Sequence, residues 1–479
     1  MRLDNIAILR RMRRGWLACL SMLLCWGGSA SAAPTRRHVL IISIDGFSHT
    51  KLVDRSIKLV QLRRLAARGV LGAGISTFPS VTWTAHTTML TGSLPRRHGV
   101  VGNRFFDRIK NSDRTAWGLK RASLVATPTL FDVAARHGLV TAAIHWPGSQ
   151  LDSAITHNIP YQTDWPALTK GSTRGFLETL RRAGIDVGGL ARDHSSERVV
   201  KMDRVVAQIA RFTVRTYKPA VMAVHFDSPD VVAHDLGPDS PKVAEALVAV
   251  DGLIGELLET YRAAGLLAST DVFVVSDHGF LPVTSVFDID KFLHTHGLID
   301  AYGPFADEFS RGPVYTVRNG HATFLYILDK KRAPLLRAKV IEVLGRVPQI
   351  DRVLRPSQYS TLGLPMPREN ARIGDLIVLA KPHTSFGRVK GKGFVRRSSS
   401  GGHHGYLPTH PAMWTAFVCA GPSIKRLVEP VRFRLVDLAP TVLELLGLAF
   451  TTPIDGRTDR HIVRPASRRI AGPLAVNAR

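Results

Sequence analysis

Apolar runs alternate with amphipathic stretches along most of the chain. Four runs have the length and composition of strands buried on both faces: HVLIIS (38–43), LVTAAI (139–144), PAVMAVHF (219–226) and DVFVVS (271–276). Residues 56–69 and 240–265 instead repeat their apolar positions with a helical period, and each stretch ends at a glycine. This alternation predicts an α/β fold with a largely parallel central sheet flanked by helices.

After about residue 281 the pattern changes, and shorter strand-like runs surround one helical stretch. The segments are HATFLYIL (321–328), PLLRAKVIEVLGRV (334–347), IDRVLR (350–355) and GDLIVLA (374–380). They predict a smaller α+β subdomain, with the order β–α–β–β, inserted over about residues 281–400. The basic, glycine- and serine-rich segment 387–402 is expected to be a mobile loop.

The last part of the chain returns to the earlier pattern. TAFVCAG (415–421) has strand character, and VDLAPTVLELLGL (436–448) predicts a closing helix that starts near Pro440. Residues beyond Arg457 are expected to be weakly structured. We therefore assign residues 33–460 to one folded domain and residues 461–479 to a C-terminal tail.

The first 32 residues have the features of a secretory signal peptide. Four arginines between residues 10 and 14 precede the apolar run WLACLSMLLCW (16–26), and an A-x-A cleavage site ends at Ala32. The run is too short to span a bilayer. Twin-arginine export is an alternative to the general secretory route, because Arg13 and Arg14 form a consecutive pair just before the run. We predict cleavage after Ala32 and a periplasmic or secreted protein without a transmembrane segment.

The formal net charge of the chain is +26. Five arginines and one aspartate lie in the leader, so +22 remains after cleavage. This charge favours anionic partners such as phosphate esters or polyanions, and it does not determine a fold. Cleavage would also remove Cys19 and Cys25 and leave Cys419 alone, so we expect no internal disulfide.

Acidic and histidine residues lie where predicted strands meet loops. Most of them follow a strand at its carboxyl end, the edge where open α/β sheets bind ligands, and His404 lies in a glycine-rich loop before TAFVCAG. Taken singly, each has a structural explanation as a turn or helix-capping residue. Together they supply the oxygen and nitrogen ligands that suit zinc, and no cysteine competes with them. These residues are Asp45, Asp230, His234, Asp277, His278 and His404.

Six ligands are too many for one tetrahedral zinc ion with an open position and about right for two. Two metal ions roughly 3.5–4 Å apart form a clamp for in-line phosphoryl displacement, and such a site needs a nucleophile. The threonine-rich stretch FPSVTWTAHTTMLTG (78–92) offers Thr82 where a loop should enter a helix, so helix N–H groups would face a bound phosphoryl oxygen. Thr82 could equally be a helix N-cap, and its neighbours in sequence leave both interpretations open.

Several blocks of sequence around these residues stand out. They are LIISIDGF (40–47), FPSVTWTAHTTMLTGSLPRRHGVVGN (78–103), HWPGSQ (145–150), SPDVVAHDLGP (228–238), VVSDHGFLPV (274–283), GGHHGYLPTHPAMWTAFVCAGP (401–422) and the closing VDLAPTVLELLGL with IDGR (454–457). In content and order they resemble the nucleotide pyrophosphatase/phosphodiesterase family of the alkaline phosphatase superfamily, over roughly residues 38–457. The resemblance implies an alkaline-phosphatase-like core and hydrolysis of phosphoric esters.

The resemblance implies that Thr82 is the nucleophile and forms a covalent phosphoryl- or nucleotidyl-threonine. One zinc ion would lower the pKa of the Thr82 hydroxyl, and a second would stabilise the leaving oxygen and then activate the hydrolytic water. The implied ligands of the first ion are Asp45, Thr82, Asp277 and His278. The implied ligands of the second ion are Asp230, His234 and His404. His404 is preferred to His403 because Gly-Tyr follows it.

The resemblance also implies residues that bind substrate. Asn103, in HGVVGN, would donate a hydrogen bond to a non-bridging phosphoryl oxygen. Trp83 matches an aromatic residue that stacks on a nucleobase, and a buried core position is its structural alternative. Trp146, in HWPGSQ, would line the leaving-group pocket. Thr84-Ala85-His86 differs from the Pro-Asn-His common in the family, but Thr82 and Asn103 are in place.

We therefore predict an exported two-zinc hydrolase that cleaves phosphodiester or phosphoanhydride bonds through a phospho-threonine intermediate. Its substrate would be a small phosphate ester, nucleotides included, and no stable nucleic-acid complex is expected. A phosphomonoesterase or a phosphonoacetate-type hydrolase could use the same metals, and Arg104 would suit a dianionic monoester. The charge alone also allows a non-catalytic polyanion-binding protein, against which the intact ligand set argues. The sequence is silent on oligomeric state.

Overall fold

The computed structural model describes residues 37–191, 195–302, 310–398 and 401–465. Its centre is an eight-stranded sheet with the order β8-β2-β7-β6-β1-β5-β3-β4. Strand β7 is antiparallel to both of its neighbours and the other pairs are parallel, which confirms the predicted sheet. The strands are β1 (His38–Ile44), β2 (Val70–Ile75), β3 (Thr141–Trp146), β4 (His157–Pro160), β5 (Val221–Phe226), β6 (Thr270–Val275), β7 (Thr415–Ala420) and β8 (Val431–Arg434).

Helices cover both faces of this sheet. Alternate residues of a strand point to opposite faces, so Leu40 and Ile42 lie in one apolar core while Val39 and Ile41 lie in another. The α-helices are α1 (His49–Val53), α2 (Val60–Ala66), α3 (Thr82–Thr91), α4 (Pro95–His98), α5 (Arg121–Leu124), α6 (Leu130–Arg136), α7 (Trp165–Gly171), α8 (Arg174–Arg182), α9 (Val199–Tyr217), α10 (Ser228–Leu236), α11 (Pro241–Ala263), α12 (Ile289–Thr295), α13 (Ala333–Gly345) and α14 (Leu438–Leu445). Helices α9 and α11 pack in the first core, and α3, α6 and α14 pack in the second.

A second, antiparallel sheet of four strands lies within the predicted insertion. Its order is Val314–Asn319, Ala322–Ile327, Leu376–Ala380 and Ile350–Leu354. The predicted β–α–β–β order is therefore wrong by one strand, since Val314–Asn319 precedes the others and α13 follows the second. Polar residues at alternate positions of VYTVRN break the continuous apolar run by which the other strands were recognised.

Two expectations about loops need correction. Within 387–402, Val395–Arg397 forms an exposed strand that pairs with Ser285–Phe287, so this part is not a loop. Ile462 and Val463 are buried, and Val463 bridges to Ile424, so the chain is ordered beyond Arg457 as far as the description extends. The remaining short strands are Arg104–Asp107, Ser112–Thr115, Leu281–Pro282, Ala301–Tyr302, Ser310–Arg311, Thr384–Phe386 and Gly402–His403.

The predicted signal peptide (1–32) and residues 466–479 of the predicted tail lie outside the described residues. The domain boundaries that we assigned from the sequence stay predictions. None of the helices in the described ranges is both long enough and apolar enough to cross a membrane.

Candidate metal-dependent active site

Three neighbouring parallel strands, β6, β1 and β5, end at the same edge of the central sheet. Asp45 directly follows β1, Asp277 follows β6 after one residue, and Asp230 lies in the first turn of α10, which follows β5. Because parallel strands share one carboxyl edge, three carboxylates that are far apart in sequence meet there.

Gly46 allows the loop after β1 to approach α10 closely. Its φ of +66° is a left-handed conformation that favours glycine, and a Cβ atom there would lie 3.2 Å from the Cα of Asp230 and 2.6 Å from the Phe280 ring. The Gly46 N–H donates to Oδ1 of Asp277 at 3.2 Å. Gly46 thus adjoins Asp45, packs against the backbone of Asp230 and donates to Asp277.

The six predicted ligands lie close together, and the division that the resemblance implies separates them into two groups of three. In the first, Nε2 of His278 lies 3.1 Å from Oδ1 of Asp45 and 3.3 Å from Oδ2 of Asp277. Ligands bound to one tetrahedral zinc ion at 2.0–2.2 Å lie about 3.3–3.5 Å apart, so these distances have the scale of a zinc site.

In the second group, Nε2 of His234 lies 3.2 Å from Nε2 of His404 and 3.5 Å from Oδ1 of Asp230. The i, i+4 spacing of Asp230 and His234 on α10 thus places both on one helical face, as predicted. The rings of His278 and His404 stack with centroids 3.5 Å apart, so the two groups are adjacent.

The three histidines are oriented by backbone carbonyl oxygens. The Nδ1 atoms of His234, His404 and His278 lie 3.0–3.3 Å from the carbonyl oxygens of Gly402, Ser80 and Gly279 respectively. A ring that donates Nδ1–H to a carbonyl oxygen presents the lone pair of Nε2, which is the arrangement typical of metal-binding histidine.

The carboxylates repel one another. Burial, and then the neighbouring carboxylates, raise the pKa of Asp230 well above its usual value and that of Asp277 to about 7. Burial acts to raise the pKa of Asp45 as well, but the imidazoles of His278 and His225 outweigh it and hold this pKa well below the usual value. Positive charge at this edge would relieve the repulsion.

Four buried atoms of these residues make no hydrogen bond within the described ranges: Asp45 Oδ1, Asp230 Oδ1, Asp277 Oδ2 and His278 Nε2. Buried polar atoms in proteins nearly always have a partner. Unpaired carboxylate oxygens beside an unpaired imidazole nitrogen suit divalent cations such as zinc.

Thr82 is the first residue of α3 and is 6% exposed. The N-cap is Val81, whose apolar side chain makes no capping hydrogen bond. The interpretation of Thr82 as an N-cap is therefore wrong, and its hydroxyl is not needed to cap the helix.

Hydrogen bonds tie the segment around Thr82 to both ligand groups. The Ser76 hydroxyl donates to the carbonyl oxygen of Asp277 at 2.5 Å, and the carbonyl oxygen of Ser80 accepts from Nδ1 of His404. Nδ1 of His86 lies 2.8 Å from the Thr82 carbonyl oxygen and 3.7 Å from Oδ2 of Asp277. The segment that leads into Thr82 is thus hydrogen-bonded to both groups.

The later threonines of α3 have structural roles. The hydroxyls of Thr87 and Thr91 donate to carbonyl oxygens four residues earlier, at 2.7 and 2.8 Å, and Thr88 pairs with His98 at 3.0 Å. Such back-bonding satisfies buried hydroxyls within a helix. Thr82 differs from them because it begins the helix and has no preceding turn to bond.

Asn103 lies beside the start of α3, where its Oδ1 accepts the Trp83 N–H at 3.0 Å. An amide has one acceptor and two donors, so its NH₂ group remains to donate. This geometry suits the predicted contact to a phosphoryl oxygen.

Trp83 belongs to an aromatic wall, which we define as Trp83, Trp117 and Tyr161. The Trp83 ring is 5.2 Å from that of Trp117 and 5.3 Å from that of Tyr161, and the Arg104 guanidinium lies 5.8 Å from the Trp117 ring. Trp83 is 6% exposed, which suits its structural alternative as a core residue, and its predicted stacking on a nucleobase stays a prediction. Neither Trp117 nor Tyr161 lies in a motif, and sequence reasoning missed both.

Two predicted assignments fit the structure less well. Trp146 is fully buried in the second core, edge-on to His86 at 4.9 Å, and this burial argues against the predicted substrate contact. His403 offers a nitrogen close to those of His234 and His404, and its Nδ1 accepts the His404 N–H at 3.1 Å. The preference for His404 over its neighbour stays a prediction.

Comparison with known proteins agrees with this geometry. The type I phosphodiesterase/nucleotide pyrophosphatase family matches residues 39–407. Ectonucleotide pyrophosphatase/phosphodiesterase family member 7 of Rattus norvegicus is 24% identical over 458 residues, which cover 92% of this chain and 90% of that protein.

Two solved structures share the fold. Human ectonucleotide pyrophosphatase/phosphodiesterase 5 has a TM-score of 0.67 at 20% identity, over 90% of this chain and 100% of its own. An inactive variant of the murine protein, in complex with AMP, has a TM-score of 0.67 at 19% identity, over 89% and 100%. The fold is alkaline-phosphatase-like, as expected. The chain belongs to the type I phosphodiesterase/nucleotide pyrophosphatase family, whose members hydrolyse phosphoric esters.

Proposed function

We propose that this chain is an exported two-zinc hydrolase that cleaves phosphodiester or phosphoanhydride bonds through a covalent intermediate on Thr82. The observation that carries the proposal is the position of Thr82, at the first residue of α3 and at the end of a segment that is hydrogen-bonded to both ligand groups. Ser76 in this segment bonds to Asp277, and Ser80 bonds to His404. Zinc in the two groups would lower the pKa of the attacking hydroxyl, stabilise the leaving oxygen and activate the hydrolytic water.

The proposed reaction consists of two successive displacements at phosphorus. Oγ1 of Thr82 loses its proton to solvent and attacks phosphorus while the bond from phosphorus to the leaving oxygen breaks. Water then attacks the same phosphorus, the bond from Oγ1 to phosphorus breaks, and Thr82 is reprotonated. The NH₂ group of Asn103, held by the Trp83 N–H, donates to a non-bridging oxygen where negative charge develops.

The aromatic wall supports nucleotides as the substrate class. Its rings lie beside the residue that follows the nucleophile, and a nucleobase stacks on such faces with about 1–3 kcal/mol per base. The murine structure in complex with AMP shares this fold, which supports the same class here.

The proposed place of action is the periplasm or the exterior of the cell. The arginines and apolar run within residues 1–32 support export, with cleavage after Ala32. The relatives named as ectonucleotide enzymes are in keeping with this location.

A nitrophenyl ester of thymidine monophosphate, supplied to the zinc-loaded mature protein, tests the mechanism. Thr82→Ala should lower kcat on the order of 10³-fold or more, the scale of losing a nucleophile. Thr84→Val is the matched control on the same helix, because the buried Thr84 hydroxyl makes no hydrogen bond within the described residues and should leave kcat unchanged. Equal rates for Thr82→Ala and the parent protein would overturn the proposal.

A phosphomonoesterase, or a phosphonoacetate-type hydrolase, is the second candidate, and the Arg104 guanidinium beside the aromatic wall favours it. A dianionic monoester would gain more from this cation than a monoanionic diester would. The ratio of kcat/KM for aryl mono- and diesters decides between them. If monoesters are the substrate, Arg104→Ala should lower their kcat/KM selectively.

A further inference from the structure

A third cluster of possible ligands lies next to the two groups described above. It consists of Asp45, which directly follows β1, His225, which lies in β5, and Asp227, which directly follows β5. The ligand atoms of the three side chains lie within 4.8 Å of one another, and the side chains are 0–2% exposed. His225 and Asp227 have no role in the reaction proposed above.

The two oxygens of Asp45 face different partners. Oδ1 lies 3.1 Å from Nε2 of His278, in the first ligand group, whereas Oδ2 lies 3.3 Å from Nε2 of His225. A carboxylate placed in this way can bind a cation through each oxygen. Asp45 would then belong to two neighbouring cation sites.

The surroundings of His225 are those of a ligand. Both of its ring nitrogens are buried and make no hydrogen bond within the described ranges. His86, which lies against it at 4.7 Å, differs because its two nitrogens lie 2.8 Å from the Ser43 hydroxyl and the Thr82 carbonyl oxygen. The 3.3 Å between His225 and Asp45 exceeds the roughly 2.7–2.9 Å of a charge-assisted hydrogen bond, and it matches the separation of about 3.3–3.5 Å between two ligands of one tetrahedral ion.

Asp227 is held in position by its neighbours. Its N–H donates to Oδ1 of Asp203 at 2.9 Å, and the Tyr161 hydroxyl donates to its Oδ2 at 3.0 Å. Partners that orient a ligand in this way are typical of metal sites, because they fix the carboxylate before the ion arrives.

We propose that Asp45, His225 and Asp227 hold a third divalent cation. Two carboxylates and one imidazole suit Zn²⁺ or Mn²⁺. Mg²⁺ and Ca²⁺ prefer oxygen ligands and bind imidazole poorly. The inference rests on the proposed function only through Asp45, which the third site shares with the proposed pair. The rival explanation is a proton: a charged His225 would pair with Asp45, and no ion would bind there.

Metal content separates these explanations. The mature protein is stripped with a chelator, reloaded with excess Zn²⁺ or, separately, Mn²⁺, desalted, and analysed for metal and protein. The third site predicts three ions per chain. A content of two ions per chain, both after saturation with Zn²⁺ and after saturation with Mn²⁺, would overturn the inference. This measurement uses the parent protein alone.

Variants assign the third ion to its ligands. His225→Phe and Asp227→Asn should each reduce the content from three ions to two, while Ser228→Ala, beside Asp227 but outside the cluster, should keep three. Three ions in His225→Phe would overturn the assignment. A fall to one or none would also overturn it, because His225 would then support the pair instead of a separate site.

The metal count is independent of the activity test. An active enzyme with two ions per chain contradicts the third site and leaves the proposed function standing. Three ions in a protein whose Thr82→Ala variant is fully active contradicts the proposed function and leaves the third site standing.

Discussion

Two sets of buried aspartates in this protein differ in what surrounds their oxygens. Asp251 of α11 accepts the N–H groups of Gln61 and Leu62, both at 2.9 Å, where α2 begins. Asp203 of α9 likewise accepts two N–H groups, at 2.9 and 3.1 Å, where α10 begins. Both of these helix-capping aspartates complete the hydrogen bonding of another helix.

The edge aspartates Asp45, Asp230 and Asp277 lack such donors for their inward oxygens within the described residues. Burial acts to raise the pKa in both sets, but the next-largest effect on the pKa has opposite signs for Asp203 and Asp230. The nearby Ser228 side chain and the N–H groups of Asp227 and Ser228 lower the pKa of Asp203, whereas neighbouring carboxylates raise that of Asp230 further. The difference indicates that N–H groups of the protein compensate the charge of the capping aspartates, whereas the edge aspartates need a bound cation for this.

The largest expected effect comes from Asp230→Asn. Loss of one carboxylate from the second group should remove bound zinc and lower kcat on the order of 10³-fold or more. The metal-free variant should unfold at an equal or higher temperature than the metal-free parent, because repulsion with Asp45 and Asp277 is reduced. Zinc analysis, steady-state kinetics and thermal denaturation in chelator measure the three results. A variant that keeps its zinc and activity would break the comparison.

Asn103→Ala should lower kcat about 10²–10³-fold, the range found when one preorganised donor to a developing charge is removed. The zinc content should not change, because Asn103 contacts the Trp83 N–H and is not a proposed ligand. Kinetics on the nitrophenyl nucleotide ester provide the measurement. An increase in KM with an unchanged kcat would show that the amide binds substrate without stabilising the transition state.

Asp251→Asn should have the opposite profile to Asp230→Asn. Replacing the carboxylate that accepts two N–H groups should lower the free energy of unfolding by about 1–3 kcal/mol. Activity per folded molecule and zinc content should stay at the parent values. Urea denaturation measures the free energy of unfolding. A loss of zinc in this variant would contradict the division of the aspartates into two sets.

Trp83→Ala should weaken the binding of nucleotide esters by about 1–3 kcal/mol, the scale of stacking on one base. An aryl phosphodiester without a base should be affected less, so the ratio of kcat/KM for the two substrates is the measurement. Trp146→Phe is the control, because Trp146 is buried in the core and should not change this ratio. An equal loss with both substrates would assign Trp83 to the core alone.

The smallest effect concerns pH. Burial raises the pKa of Asp203 from 3.8 to about 6, against the hydrogen bonds that lower it. Between these two values the folded protein keeps a proton that the unfolded chain has lost, so this group's stabilisation is complete below the lower value and is lost as pH rises through about 6. Asp203→Asn should flatten the fall in unfolding free energy over this window. Urea denaturation of both proteins at several pH values checks the sign.

The sequence predicted β1, β3, β5, β6 and β7 because these strands are continuous apolar runs, and it predicted the edge aspartates because each follows such a run. Strands β2, β4 and β8 were not predicted, and in β8 arginines alternate with apolar residues. The direction of a strand leaves no comparable pattern in the sequence, so the antiparallel orientation of β7 could not be predicted. The exposed strand Val395–Arg397 and the alternating strand Val314–Asn319 were missed because neither presents a continuous apolar run.

Within the site, the side chains that sequence reasoning found lie at the ends of strands or helices. An aspartate, histidine or threonine is easy to recognise there beside an apolar run. His225 was hidden because it lies inside the apolar run PAVMAVHF, and Trp117 because it lies in a region without a motif. Trp146 was placed in the pocket by resemblance, whereas the face of β3 on which it lies is buried. Which face a strand residue points to, and which distant loop it meets, depends on tertiary packing.

Diffraction from crystals of the zinc-loaded protein at the zinc absorption edge tests the central claim most directly. We expect one anomalous peak among Asp45, Asp277 and His278 and a second among Asp230, His234 and His404. The peaks should lie roughly 3.5–4 Å apart with the Thr82 hydroxyl beside them. Crystals with no peak at this edge of the sheet, or with peaks remote from Thr82, would contradict the account.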